Sequence, residues 1–462
     1  MKKNFIGNFF VLFLLLFSIS CAQNESKVDW NEAKTILKRI VPPTFPNKDF
    51  LITNYGAKPD GTTDCTSAIK NAIDDCNKSG GGRVVIPEGV FLSGAIHLKS
   101  NVNLYLSENS ILKFTDDKSK YLPVVFTRWE GVECMNYSAL IYAYGQENIA
   151  VTGKGILDGQ GSDDNWWSWK GKSSKSIKGQ TQNEARKKLF RMAEDNIPPE
   201  ERIFGEGHFL RPNFFQPYKC KNILLEGVTL KNSPMWFIHP VLSSNISIIE
   251  VTVEGLGPNN DGCDPESCTD VLIKNCSFNT GDDCIAIKSG RNADGRRINL
   301  PSENFVIQNC KMKDGHGGVV VGSEISGGVR NIFAENCTMD SPNLDRAIRI
   351  KTNAVRGGII ENIFVRNISV GQVGEAVILV DYFYEEADKG NFIPTVRNIN
   401  IENVTSQKSK YAVWIKAFKN SPLKNVFLKN CCFNYVEKEN FIENVENLKF
   451  KNVTVNGKFV GQ

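Results

Sequence analysis

Residues 304–312 read NFVIQNCKM, 331–339 read NIFAENCTM, 362–370 read NIFVRNISV, 398–406 read NINIENVTS and 425–433 read NVFLKNCCF. Each string is an asparagine, an alternating apolar run, a second asparagine, and a second short alternating run. The frame recurs from Asp270 and Asn447, and from Asn148 and Asn222 with glycine in place of the second asparagine. Asparagine and glycine adopt positive φ readily, so this second position predicts a tight left-handed bend between two short strands. The alternation on either side turns one face inward. Frames start at 222, 245, 270, 304, 331, 362, 398, 425 and 447, so successive starts lie 23, 25, 34, 27, 31, 36, 27 and 22 residues apart. A minimum near 22 with variable additions is what a parallel β-helix needs: three short strands per coil, loops of changing length, and coils stacked about 4.8 Å apart. A propeller blade would need about 40 residues. The prediction is an all-β, single-domain solenoid over 49–462.

For 462 residues, length alone would suggest about three domains, and the repeat overrides that prior. Hydrophobic residues at 41% and charged residues at 23% argue against disorder. With 55 Lys+Arg against 51 Asp+Glu, the net charge of +4 is too small for a general nucleic-acid binder, so an anionic ligand needs a local basic cluster. Four histidines make a multi-histidine metal enzyme a poor fit. Residues 64–80 (DCTSAIKNAIDDCNKSG) place Ala68, Ile69, Ala72, Ile73 and Cys76 at helical spacing. Asp64 is the candidate N-cap of a helix covering the open N-terminal end, where free edge strands would otherwise pair.

The first 20 residues have Lys2 and Lys3, then an apolar run from Phe9 to Phe17, which is a signal peptide and too short for a span. Its end, Ser18-Ile19-Ser20-Cys21, resembles a bacterial lipoprotein signal, with lipidation expected on Cys21. The alternative is ordinary secretion with cleavage nearby. Residues 21–48 read as a linker or N-terminal segment. Among the 13 cysteines, Cys276, Cys310, Cys337 and Cys431 share one frame and are expected as small buried hydrophobes. Export permits disulfides, and Cys263–Cys268 is one candidate pair.

Solenoid geometry turns spacing into contact. Asp261 lies in Asn259-Asn260-Asp261-Gly262, and Asp282-Asp283 follows 21 positions later, between Gly281 and Cys284. His316, between two glycines, stands 33 positions after Asp283, and Arg349-Ile350-Lys351 begins 33 positions after His316. Each step is about one coil, which stacks three carboxylates, an imidazole and two cations on one face. Singly, each motif has an ordinary explanation: a turn-forming Asp pair, a loop histidine, or two outward charges on a strand. All of them falling in register is a different matter.

In this order the motifs resemble glycoside hydrolase family 28, the polygalacturonases and their relatives. The strings NNDGCDPES, GDDCIAIKSG, GHGGVVVGSE and RAIRIKT are similar to its bacterial exported branch, with Asn260 standing where the family pattern has Thr. The resemblance runs from about Phe50 to the end. It implies a right-handed parallel β-helix and hydrolysis of α-1,4-galacturonosyl linkages in pectin or polygalacturonate. Asp282 would be the general acid. Asp261 and Asp283 would hold and deprotonate a water, and His316 would tune the acid or bind substrate. Arg349 and Lys351 would grip the galacturonate carboxylate by planar fork and point charge. Tyr384 matches the family's substrate tyrosine, with Tyr382 competing. Crowding among the aspartates would keep a proton on one of them. Inversion would follow, with acid and base carboxyls roughly 6.5–9.5 Å apart. No cofactor and no metal is implied, no nucleic acid partner, membrane contact only through the lipid anchor, and a monomer. Alternatives are a rhamnogalacturonan hydrolase, a β-helical pectate lyase using the three aspartates as calcium ligands, and a non-catalytic glycan-binding solenoid.

Two stretches break the repeat. From Ser162 to about Gly207 it is replaced by Trp166, Trp167 and Trp169 and by a charged segment, Glu184 to Arg202. The second stretch, RNADGRRINL (Arg291–Leu300), follows the Asp pair and is similar to the exo-acting bacterial polygalacturonases. Its Arg291, Arg296 and Arg297 are expected to bind a terminal galacturonate. Together they predict a blocked groove and exo-action from the non-reducing end.

Overall fold

The computed structural model describes residues 28–461; the stretch read as a signal peptide and the expected lipidation site, Cys21, lie outside them. Parallel strands Lys221–Glu226, Ser244–Ile249, Thr269–Lys274, Ser302–Gln308 and Val329–Glu335 form the first face. They stack in register, Ile223 on Ile246, Val271, Phe305 and Ile332 in turn. After a bend come short strands such as Thr252–Gly255, Ser277–Thr280 and Lys311–Met312. Later coils run both faces together as Ile359–Gln372 and Thr395–Lys408. A third face is a six-stranded sheet that includes Ile285–Ile287, Val319–Val321, Arg346–Lys351 and Ala376–Asp381. The predicted parallel β-helix is the observed fold.

The bends sit where the frame placed them: Asn309, Asn336, Asn367 and Asn403 have φ of 57°, 56°, 54° and 53°. The first asparagine of each frame is also left-handed, with Asn331 and Asn362 at 59° and Asn398 at 61°, so each repeat has two such positions where the sequence reading had one. The reason is a side-chain ladder. Asn331 Nδ2 donates to Asn304 Oδ1 at 3.1 Å, Asn362 to Asn331 at 3.1 Å, and Asn398 to Asn362 at 3.0 Å. The second asparagines form a parallel ladder, Asn367 to Asn336 at 3.1 Å and Asn403 to Asn367 at 2.9 Å. Each amide donates to one coil and accepts from the next, for about 1 kcal/mol per bond. Gly153, which replaces asparagine, has φ of 117°, and a Cβ there would lie 1.9 Å from the Leu106 carbonyl oxygen.

Inward side chains from all three faces fill one continuous core of fully buried Ile, Val, Leu and Phe. Each contributes about 1.5–3 kcal/mol. Cys276, Cys310, Cys337 and Cys431 belong to it as predicted. All twelve described cysteines are free thiols, so the candidate Cys263–Cys268 bridge does not form. The two flank an extended run that bridges Cys263 to Ile285 and Glu266 to Lys288, which separates them by on the order of 15 Å.

Helix α1 (Trp30–Arg39) corrects the reading of 21–48 as linker. Its Ala33, Ile36 and Ile40 pack on outward-facing Val306, Phe333 and Phe364. Asp29 caps it, and Arg39 binds Asp270, which occupies an asparagine position of the ladder. Helix α2 (Thr66–Lys78) closes the N-terminal end as expected, burying the five residues predicted. Asp64 accepts from Thr66 N at 2.9 Å, one residue ahead of the N-cap, Cys65. The insertions carry α3 (Asn183–Glu194) and α4 (Asn292–Ile298), and an antiparallel hairpin, Val125–Trp129 with Val132–Asn136, rises beside them.

The ladder yields a stability test. Asn362→Ala removes a donated and an accepted bond and forces alanine into the left-handed region, for an expected loss of about 3–4 kcal/mol. Asn362→Gly loses only the bonds and is expected to cost about half as much. The melting order is wild type, then glycine, then alanine; equal melting of the two variants would show that backbone strain contributes nothing.

Candidate active site

The four motifs fall where the second face turns into the third. Gly262 N donates to Asp283 O at 2.9 Å and His316 N to Asp282 O at 3.1 Å, so the coil hydrogen bonds themselves set these segments side by side. Asn260 holds the turn that presents Asp261. Its Oδ1 accepts from Gly257 N at 3.0 Å, and its Nδ2 donates to the carbonyls of Ser233 and Met235 at 2.9 Å each. Arg211, fully buried, binds the carbonyls of Pro234 and Pro258, Asn259 Oδ1, and Gln182 at the start of α3. It ties the first insertion to the same turn, and burial lowers its guanidinium to about 10.

Asp261, Asp282 and Asp283 converge, each offering an oxygen within 4.8 Å of the others. Asp283 is fully buried, accepting from Arg349 at 3.2 Å and from Lys351 Nζ at 2.6 Å. Arg349 and Lys351 share a face of strand Arg346–Lys351, which supplies the fork and the point charge together. Asp282 accepts from His316 Nδ1 at 3.0 Å, and its Oδ1 also takes Asp283 N.

The electrostatics reverse one expectation. Crowding was expected to keep a proton on one of the aspartates, with Asp282 the acid by resemblance. Burial does push Asp282 up, but the His316 hydrogen bond and charge, with Lys351 and Lys288 beyond, pull it below the usual carboxylate range. His316 rises in return, mainly through that bond to Asp282. The group lifted well above the ordinary range is Asp261, through burial and through the charge of Asp264 behind it. The three aspartates have the spacing of a metal site, yet the donor set does not suit a hard cation. Lys351 and Arg349 neutralise Asp283, His316 faces Asp282, and Lys288 Nζ lies 3.9 Å from Asp261. A calcium ion would have to enter against this cationic ring.

The cluster floors a cavity of about 500 Å³. Tyr384 lines it beside Arg349 and Lys351, at 5.4 and 5.1 Å from the ring centre, whereas Tyr382 is a core residue packed on Phe418. Lys170 and Arg186 from the first insertion and Glu130 from the hairpin tip wall it. Arg291, Arg296 and Arg297 are not among its lining residues. Arg291 is buried against Glu324, Glu385 and Glu386 and stacks on Phe190. Arg296 binds the Val355 carbonyl over Phe392, and Arg297 binds Glu133 and Asp294. These arginines brace the wall, and the hairpin docks there: Arg291 N donates to Gly131 O at 3.0 Å, and a Cβ on Gly131 would lie 2.7 Å from Arg291 Cβ. Sequence reasoning missed Lys288, Glu324, Trp236, Glu130 and Arg186. Lys288 was within reach as the one charge in the apolar run CIAIKSG after the Asp pair.

The sequence profile described as glycosyl hydrolases family 28 matches residues 206–454, and one described as rhamnogalacturonase A/epimerase, pectate lyase-like, matches residues 50–118. Among solved structures, a hyperthermoactive exopolygalacturonase from Thermotoga maritima is 45% identical, with 93% of this chain and 96% of that one covered and a TM-score of 0.90. An exo-poly-alpha-D-galacturonosidase of Dickeya chrysanthemi is 27% identical, covering 81% of this chain and 65% of its own. A probable polygalacturonase of Vitis vinifera is also 27% identical, covering 82% and 73%. With its ordered motifs assembled on a right-handed parallel β-helix, the chain belongs to glycosyl hydrolases family 28 and is a glycoside hydrolase.

Proposed function

We propose that this hydrolase cleaves α-1,4-galacturonosyl linkages of polygalacturonate, releasing mono- or digalacturonate from non-reducing ends. The observation that carries the reading is the pairing of Arg349 and Lys351 with the aspartate cluster inside a walled cavity. A uronate carboxylate fits a fork and a point charge, and the hairpin and first insertion leave a pocket where an endo-acting enzyme needs a through-running groove. The 45% identity to an exopolygalacturonase supports the same reading.

Asp282 and His316 act as one proton-donating pair, since they hydrogen-bond and that bond pulls Asp282 down and His316 up. The proton shared by the pair passes through Asp282 to the leaving glycosidic oxygen. Asp283 has both oxygens engaged and Asp261 is buried, so neither is free to bond a sugar carbon. Instead they hold one water jointly, and Asp261 takes its proton. The short spacing is then a two-carboxylate grip on that water, and the outcome is inversion. Residues 1–21 support export with a lipid on Cys21. Radiolabelled palmitate is expected to enter the wild-type chain and not Cys21→Ser.

Asp282→Asn is expected to fold and lose on the order of 10²–10⁴ in rate. In wild type, the His316 ring is expected to titrate above its ordinary value by proton NMR, returning toward about 6.5 in Asp282→Asn. Being raised in the folded state, this group adds stability that is full below about pH 6.5 and lost as pH rises through its folded value. An unmoved titration would dissolve the pair.

On polygalacturonate, reducing ends should accumulate with little loss of viscosity, the β-anomer should appear first by rapid NMR, and EDTA should change nothing. Lys351→Ala should impair unesterified galacturonan far more than a methyl-esterified analogue. A steep early fall in viscosity would overturn exo-action, an α-anomer would overturn inversion, and cleavage confined to rhamnogalacturonan would move the substrate.

A further inference from the structure

Behind Asp261 lies a second buried carboxylate, Asp264, neither of whose oxygens has a hydrogen-bond donor. Asp261 is within hydrogen-bond reach of it, and Asp261 Oδ1 likewise has no donor. Two carboxylates out of water, facing each other, hold protons tightly, which is the wrong state for a group that must take a proton from water. One cation reaches both: Lys288 Nζ, 3.4 Å from Asp264 and 3.9 Å from Asp261. We infer that Lys288 is a positioning residue for hydrolysis, holding the Asp261–Asp264 pair one proton short of full so that Asp261 can accept the proton of the attacking water. The inference rests on the water-holding role proposed for Asp261.

The surroundings fix Lys288 in that place. It is 3% exposed, its Nζ binds Glu324 at 3.1 Å and the Gly322 carbonyl at 3.4 Å, and it lies 4.6 Å from the centre of the Trp236 ring. Arg291 also binds Glu324 at 3.2 Å, so Glu324 does not consume the whole charge of Lys288. On the neighbouring coil Glu266 pairs with His239 and Arg128, which settles its charge separately. Asp282 and Asp283 from the next coil also face the carboxylate pair and push its protons on, but their own cations, His316, Arg349 and Lys351, offset them. Arg211 contributes favourably from the insertion side. Lys288 is thus the one lysine or arginine, among the described residues, that forms an ion pair with Asp261 or Asp264. Burial still leaves both carboxyls well above the ordinary range, against which Lys288 acts.

The test compares pH–rate profiles on trigalacturonate for wild type, Lys288→Met, Lys288→Arg, and Lys288→Met combined with Asp264→Asn. In Lys288→Met the acidic limb of kcat should move up by about one pH unit or more, with KM little changed. Lys288→Arg should keep the wild-type limb, and Asp264→Asn should bring the Lys288→Met limb back toward it. A raised KM with an unmoved limb would make Lys288 a substrate contact and overturn the inference. So would a limb shifted equally by Met and Arg, or one that Asp264→Asn fails to restore. Melting temperatures read the same linkage without activity. Carboxyls raised in the folded state lose stability as pH rises above about 4, so Lys288→Met should melt progressively lower than wild type from pH 4 to 8. Asp264→Asn should flatten that slope, and parallel melting curves would also overturn the inference. Wild type inert on every pectic backbone would sink the proposed function instead, leaving the melting slopes to decide on Lys288.

Discussion

Hydrogen bonding between coils is the constraint on which everything else in this molecule rests. Each coil must leave and rejoin the stack at one fixed interval, and a chain of L-residues can turn that sharply only where a residue accepts positive φ. Asparagine answers both needs, because its amide also bonds to the asparagines of the coils on either side. Loops between the bends are released from the interval, and the chain inserts there without disturbing the stack. Helices α3 and α4 both lie in such insertions.

The same interval builds the catalytic floor. Asp261, Asp282, Asp283 and His316 are neighbours because backbone bonds align their segments, and Arg349 and Lys351 follow from the strand that pairs with Val319–Val321. Charges brought this close in a buried place must be arranged in pairs. Asp283 has two cations and Asp282 has one titratable partner, while Asp261 shares its burial with another acid. On the proposed mechanism, that unevenness separates the roles: a fixed anion, a proton-exchanging pair, and an acceptor whose occupancy a lysine sets.

How much of this the sequence carried depends on whether a signal is periodic. The coils, the inward faces, the buried cysteines and the capping helix were legible because each repeats or alternates. The four motifs were legible because solenoid spacing makes distance along the chain a distance in space. Arg291, Arg296 and Arg297 misled for the opposite reason. A cluster of positive charge in a loop says nothing about which acids await it, and all but one of them, Glu324, Glu385, Glu386 and Glu133, come from elsewhere in the chain. Lys288 stood out only as the one charge at the end of an apolar run, and nothing in the sequence says which acids it meets. The helix at Trp30–Arg39 was hidden because it is a single short element outside the repeat, and its apolar partners lie more than two hundred residues away in the chain.

That helix also bears on how a one-dimensional stack tolerates aromatic residues on its outer surface. Phe333 and Phe364 stack at 5.0 Å on the outward side of the sheet, where alternation calls for polar residues. Trp30 meets both edge-on at 5.5 and 6.3 Å, and Arg366 lies over its ring, 3.8 Å from the centre. The helix therefore belongs to the catalytic domain as a splint across several coils. Its far end is tied by Arg39 to Asp270 and by Val41 to Asn245, so it replaces ladder contacts where the asparagine column is interrupted. The interruption lies at the coil just before the Asp282–Asp283 turn. A coil that has given up its own ladder bond is thereby held from outside, next to the place where a shift in stacking would separate the carboxylates.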